Sequence, residues 1–321
     1  MHTGRAALAH RDRIQQIIEW RARRGRTSVE YLIPGRVADL RYAWEAQKGG
    51  YETADFFPIR LVTLLEVFAR EWIRRVVDRG SPYIERAETL TRSTKLDFVF
   101  SMALQGRRVT IGDLVAHAVS INDIGQMLKI FDLLLEDQFT KRLPLISDRW
   151  EVEVERVKAK PIIQNFDRTM KDLSRLFEIR HILVHELPVT KPYDSEEIDN
   201  FITASEEFVA AAEEILTFEL EGAVPLTQMD MNQAAAADLE GEAANLAAIL
   251  QKVRLGNINS GLLDAAQAAW QTFAECEARL HAHVVSGGSM EPMVYAATKS
   301  ELVRLRSEQL RWWLERQDDD L

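Results

Sequence analysis

Apolar residues recur along most of the chain at the three- and four-residue spacing of helices that bury one face. No stretch shows the strict alternation of a half-buried strand. Residues 6–24 set Ala7, Ile14, Ile17 and Ile18 at helical spacing, and Gly25 closes that helix. Residues 45–55 read as a loop around Gly49 and Gly50. The strongest early signal covers 57–79, where Leu61, Leu64, Leu65, Phe68, Trp72, Ile73 and Val76 follow the helical period up to Gly80-Ser81-Pro82. Two shorter helices are predicted over 82–91 and 95–104.

From Thr110 a cap and an acid precede an apolar run, which predicts helices over 111–119 and 122–136 with Asn122 capping the second. The charged segment 147–160 fits a surface helix or a loop. A long helix is predicted over 162–186, burying Ile163, Phe166, Met170, Leu173, Leu176 and Phe177, and Pro188 and Pro192 break the chain after it. Another covers 196–220. Gly222-Ala223-Val224-Pro225 is the best boundary, because alanine-rich helices follow it over 231–253, 262–284 and 293–316, with a loop at Gly287-Gly288-Ser289. The expected architecture is all-α: a helical arm over 1–54, a helical bundle over 55–222 and a smaller helical domain over 223–321.

Composition narrows the class. The 321 residues are 46% hydrophobic, enough for real cores, and the mean hydropathy of -0.20 is that of a soluble protein. No run approaches the ~18 consecutive apolar residues of a membrane span. The N-terminus lacks the apolar run and small-residue cleavage site of a secretory signal. A single cysteine, Cys276, excludes an intramolecular disulfide and a cysteine-based zinc site, so the expected compartment is the cytoplasm. The net charge of -10 argues against indiscriminate nucleic-acid binding. It is uneven, however: residues 1–26 hold seven arginines against Asp12 and Glu19, which fits a solvated helix face or an arm that reaches a phosphate backbone.

Chemistry concentrates in nine residues, Glu178-Ile179-Arg180-His181-Ile182-Leu183-Val184-His185-Glu186. Histidine has an ordinary pKa of about 6.5 and exchanges protons near neutrality. Arginine offers a fixed fork of donors suited to a phosphate. Together they point to work on a phosphodiester. Arg180 and His185 differ by about 140° in azimuth on an ideal helix, so they converge only near a helix end or across a two-fold axis. Two other readings stand beside this one. His181 and His185, four apart, have the spacing of two metal ligands, although His-x-x-x-His-Glu is not the zincin order and no third ligand can be named. Alternatively, His181 packs in the core and Arg180 pairs with Glu178 or Glu186.

Arg180-His181-Ile182-Leu183-Val184-His185 resembles the signature of the HEPN superfamily: an arginine, four to six residues, then a histidine, often with a polar residue right after the arginine. Its place late in a helical domain of about 200 residues fits as well, and the resemblance covers residues 55–220. It implies a helical bundle that dimerises through the motif and a metal-independent endoribonuclease of a defence or toxin system. His185 would then take the proton of an RNA 2′-hydroxyl and Arg180 would hold the phosphate oxygens. His185 of a second protomer would protonate the leaving oxygen, while His181 or Glu178 orients these groups. The implied partners are RNA, a second copy of the chain and an antitoxin or trigger protein. No cofactor, metal or membrane is implied. The alternative is a catalytically silent scaffold of the same fold.

The last hundred residues resemble the helical domain of LprI-type lysozyme inhibitors. The resemblance rests on Thr227-Gln228, Met231-Asn232, Ala266-Gln267-Ala268-Ala269-Trp270, Cys276, Gly287-Gly288-Ser289 and Leu302-x-x-x-Arg306-x-x-x-Leu310. Members are usually exported and cysteine-bridged. Here Ala234 and Thr298 stand where other cysteines are expected, which fits a cytoplasmic version and puts lysozyme inhibition itself in doubt. Trp270, Phe273, Leu302 and Leu310 also suit a helical core. The implied role is recognition of a protein partner, or regulation.

Overall fold

Trp72 and Phe68, on one helix near the middle of the N-terminal half, are fully buried. The computed structural model of the chain describes residues 14–23, 32–47, 53–91, 109–186, 188–256 and 258–315. It is all-α. Among the described residues the only β pairing is an isolated bridge between Ser147 and Pro161. The chain divides into two compact units, Met1–Gly222 and Ala223–Leu321.

In the first unit the helices are α1 (residues 14–23), α2 (Ile33–Gln47), α3 (Phe56–Asp78), α4 (Tyr83–Ala87), α5 (Ile111–Ala118), α6 (Ile124–Leu134), α7 (Phe139–Arg142), α8 (Phe166–His185) and α9 (Ser195–Glu221). Helix α3 packs against α2, α5, α8 and α9 and holds the largest share of the core. Phe131 and Phe139 stack with centroids 4.7 Å apart, and Phe201 and Phe208 complete the aromatic interior. Burying a side chain of this size stabilises by about 1.5–3 kcal/mol, so hydrophobic packing dominates the unit. Polar contacts fix which faces meet. Arg41 of α2 makes a forked bond to Glu206 of α9 at 2.8 and 2.9 Å, and the Trp44 indole donates to Asp199 at 3.0 Å.

Helix α5 is set on α3 by close backbone approach. Its capping box pairs Thr110 with Asp113, and the amide of Gly112 donates to Asp78 at 2.8 Å. A Cβ at Gly112 would lie 2.3 Å from the carbonyl oxygen of Arg74, so only glycine fits there. Ile14 and Ile17 of α1 pack on Leu114, and Arg21 reaches the fully buried Asp113 at 2.8 Å.

Several local expectations change. Residues 33–47 form a helix outside the predicted elements, so Glu45, Ala46 and Gln47 end α2 and do not open a loop. The cap of α6 is Asp123, whose carboxylate accepts from Gln126 N at 2.7 Å, and not Asn122. Helix α8 starts at Phe166, capped by Asn165, and Phe166 and Met170 are only partly buried. The charged stretch 147–160 is neither a regular helix nor a plain loop: Trp150–Val154 makes one π-helical turn. The predicted helix 95–104 and the first part of 6–24 lie outside the described residues.

The second unit consists of α10 (Gln228–Arg254), α11 (Ser260–His283) and α12 (Glu291–Glu315). Both α10 and α11 lie along α12. Their shared core is small: Leu246, Ile249, Val253, Leu263, Val303 and Leu310. Of the four side chains expected to fill it, Leu310 is buried, Trp270 and Leu302 are half-buried, and Phe273 is 53% exposed. No helix among the described residues is long and apolar enough to cross a membrane.

Candidate functional site

Helix α8 divides its last three turns between two environments. Leu173, Leu176, Phe177 and Ile179 face the core, while Arg180 is half-buried and His181, Val184 and His185 are exposed. The exposed side forms one wall of an open cleft of about 610 Å³. Helix α3 supplies the opposite wall through Val62, Glu66 and Arg70, which are four apart and therefore share one ridge. The segment 119–122, which joins α5 to α6, closes a third side. Val62, Val119, Ile121 and Phe177 are buried and form an apolar floor.

Above that floor the groups are polar. Arg180, His181 and His185 line the same cleft, with the two imidazole centroids 4.8 Å apart. Arg70 is neutralised by Glu66 at 3.1 Å on the same helix. No carboxylate pairs with Arg180 among the described residues, so its guanidinium is the uncompensated charge of the site. The cleft thus joins a cation with five donors, two groups capable of proton transfer and an apolar floor.

The sequence-derived residues fare differently. Arg180, His181 and His185 line one cleft despite the azimuth gap between the first and last, His185 being the final residue of α8. Glu178 is not among the cleft's lining residues. It pairs with Arg175 at 2.9 Å. Arg175 also holds Glu197 at 3.1 Å and donates to the carbonyl of Pro192 at 2.6 Å, pinning the connection to α9. These carboxylates raise the Arg175 pKa, with the Glu178 hydrogen bond the largest cause. His181 does not pack in the core, and Arg180 pairs with neither Glu178 nor Glu186. Among the described residues no three His, Cys, Asp or Glu side chains are grouped to hold a metal ion.

Sequence reasoning missed Glu66, Arg70 and Ser120. The signal for the first two was present, a Glu-x-x-x-Arg pair at the spacing of side chains that meet on one helix face. Nothing local indicated that this pair would face α8. Asn122, expected as a cap, instead lines the cleft while its amide donates to Gln126 Oε1 at 3.1 Å.

No curated protein and no solved structure matches the chain. A family model does, over the second unit alone: residues 223–310 are similar to the family described as lysozyme inhibitor LprI, in keeping with the pattern around Trp270 and Arg306.

Proposed function

We propose that the cleft of the first unit binds an RNA phosphodiester and cleaves it without a metal. The observation that carries this reading is the convergence of Arg180, His181 and His185 on one open cleft in which no carboxylate pairs with Arg180 among the described residues. The resemblance of Arg180–His185 to the HEPN signature points the same way. In this reading neutral His185 removes the proton of a ribose 2′-hydroxyl, and the 2′-oxygen attacks the adjacent phosphorus. The bond from phosphorus to the 5′-oxygen breaks, and protonated His181 gives its proton to that leaving oxygen. The products are a 2′,3′-cyclic phosphate and a 5′-hydroxyl. Arg180 holds the non-bridging oxygens as charge accumulates on them. An acid from His181 of the same chain stands as the alternative to the second-protomer His185 of the sequence reading, and the 4.8 Å between the two rings supports it.

Purified protein incubated with total RNA and EDTA tests the proposal. The expected result is EDTA-resistant cleavage leaving cyclic phosphate, abolished in Arg180→Ala and His185→Ala. Undiminished cleavage by a folded His185→Ala variant ends it. A dimer through this face and an antitoxin or trigger protein belong to the same proposal, supported only by the family resemblance.

The likeness of residues 223–310 to LprI favours a second role in the same chain, recognition of a protein by the second unit. Deleting 226–321 separates the ways the two roles combine. Increased cleavage indicates regulation, lost cleavage indicates substrate recruitment, and unchanged cleavage indicates an independent module. If no cleavage occurs in any form, the first unit is a silent scaffold and protein recognition is the function.

A further inference from the structure

The second unit has two helices laid on a third, with a groove of about 610 Å³ between α10 and α11 that α12 floors. On α10 its wall runs from Ala236 to Leu250, fifteen residues whose fourteen steps rise about 21 Å, or four helical turns. Leu239, Leu250 and Trp270 are half-buried along it. Between them stand exposed small residues, Ala243 and Ala247, over which another backbone can approach closely.

Two polar features say what suits the groove. Gln267, 6% exposed, lies in its wall with its amide oxygen bonded to Arg306, while its Nε2 has no acceptor. A buried donor left without a partner favours an occupant that brings an acceptor. Glu240, exposed on the rim, has no cation among the described residues, whereas Glu275 is already held by Lys299 at 2.7 Å. Residues 223–321 carry 14 acidic against 8 basic side chains, so the unit attracts positive charge.

We propose that this groove takes one amphipathic helix of a partner protein. Its apolar face lies on Leu239, Leu250 and Trp270, a basic side chain meets Glu240, and a polar acceptor reaches Gln267. This is helix-in-groove recognition, in which apolar anchors at helical spacing supply the affinity. The proposal takes its class of occupant from the reading of this unit as protein-binding, and adds the place and the chemistry.

The test is a displayed library of peptides about four turns long, with leucines at helical spacing and other positions varied, panned against the full-length chain. Enriched peptides are expected to carry a fixed Lys or Arg at one edge. They should bind at least about tenfold more weakly to Ala243→Arg and to Glu240→Lys. Both positions are exposed, so the variants keep their helix content, checked by circular dichroism. Enrichment no better than from a library with scattered leucines overturns the proposal, as does equal binding to native and Ala243→Arg chains. Self-association abolished by Ala243→Arg gives the groove to a second copy and also overturns it. A protein partner that binds native and both variant chains alike sinks the groove while leaving the protein-binding role intact.

Discussion

The imidazoles of His181 and His185 stand one turn apart on α8 with centroids 4.8 Å apart and planes tilted by 48°. If one ring is the base and the other the acid, each is needed in the same chain. His181→Ala and His185→Ala are expected to lower RNA cleavage by about 10²–10⁴-fold each. Mixing the two variants should not restore activity. If the pair instead spans two protomers as two copies of His185, His181→Ala cleaves RNA normally.

Gly112 is a packing requirement. An added Cβ meets the Arg74 carbonyl at 2.3 Å, and a backbone atom of α3, close to its C-terminal end, cannot swing aside as a flexible side chain can. Gly112→Ala is expected to destabilise the chain by about 1–3 kcal/mol through displacement of α5. Thermal unfolding of the native and variant chains measures it, and an unchanged Tm refutes it.

Asp113 is fully buried and accepts from Thr110 N at 2.8 Å and from Arg21 at 2.8 Å. Replacing Arg21 by Ala leaves a buried carboxylate without its cation. The expected cost is about 1–3 kcal/mol, toward the lower end because the arginine is 39% exposed and screened by water. In an Asp113→Asn background the same change should cost less, and a double-mutant cycle of denaturant midpoints isolates the coupling.

Glu275 sits in a cluster with Lys299, Tyr295 and Arg279, and hydrogen bonds from these three, Lys299 first, lower its pKa to about 2. A depressed carboxylate stabilises the folded state above its unfolded pKa, and the benefit fades as pH falls through the folded value. The native chain should therefore exceed Glu275→Gln in Tm at neutral pH, with the difference closing between about pH 4.5 and 2. A difference that does not vary with pH over that window excludes the linkage.

The helices of both units were largely legible because long amphipathic segments carry their own period. α2 is the exception, even though Ile33, Val37, Leu40 and Trp44 have helical spacing and are buried. Pro34 and Gly35 hid it, yet a proline in the first turn of a helix loses no hydrogen bond. Asn122 and Asp123 are both good caps, and only the packing decides between neighbours. Half of the cleft could be read in the sequence, since Arg180, His181 and His185 are local to one helix end. Glu66 and Arg70 join them through tertiary contact, which no spacing rule conveys. Glu178, seven residues before His185, shares its azimuth to within about 20° but lies about 10 Å down the axis. There Arg175 claims it.

Phe177 and Ile179 hold α8 to the interior, while His181 and His185 stand exposed outside it. Stability and chemistry are therefore carried by different atoms of one helix. A descendant of this chain could lose the histidines and remain a sound, protease-resistant protein, so folding assays alone would not reveal which members of such a lineage keep the chemistry of this cleft.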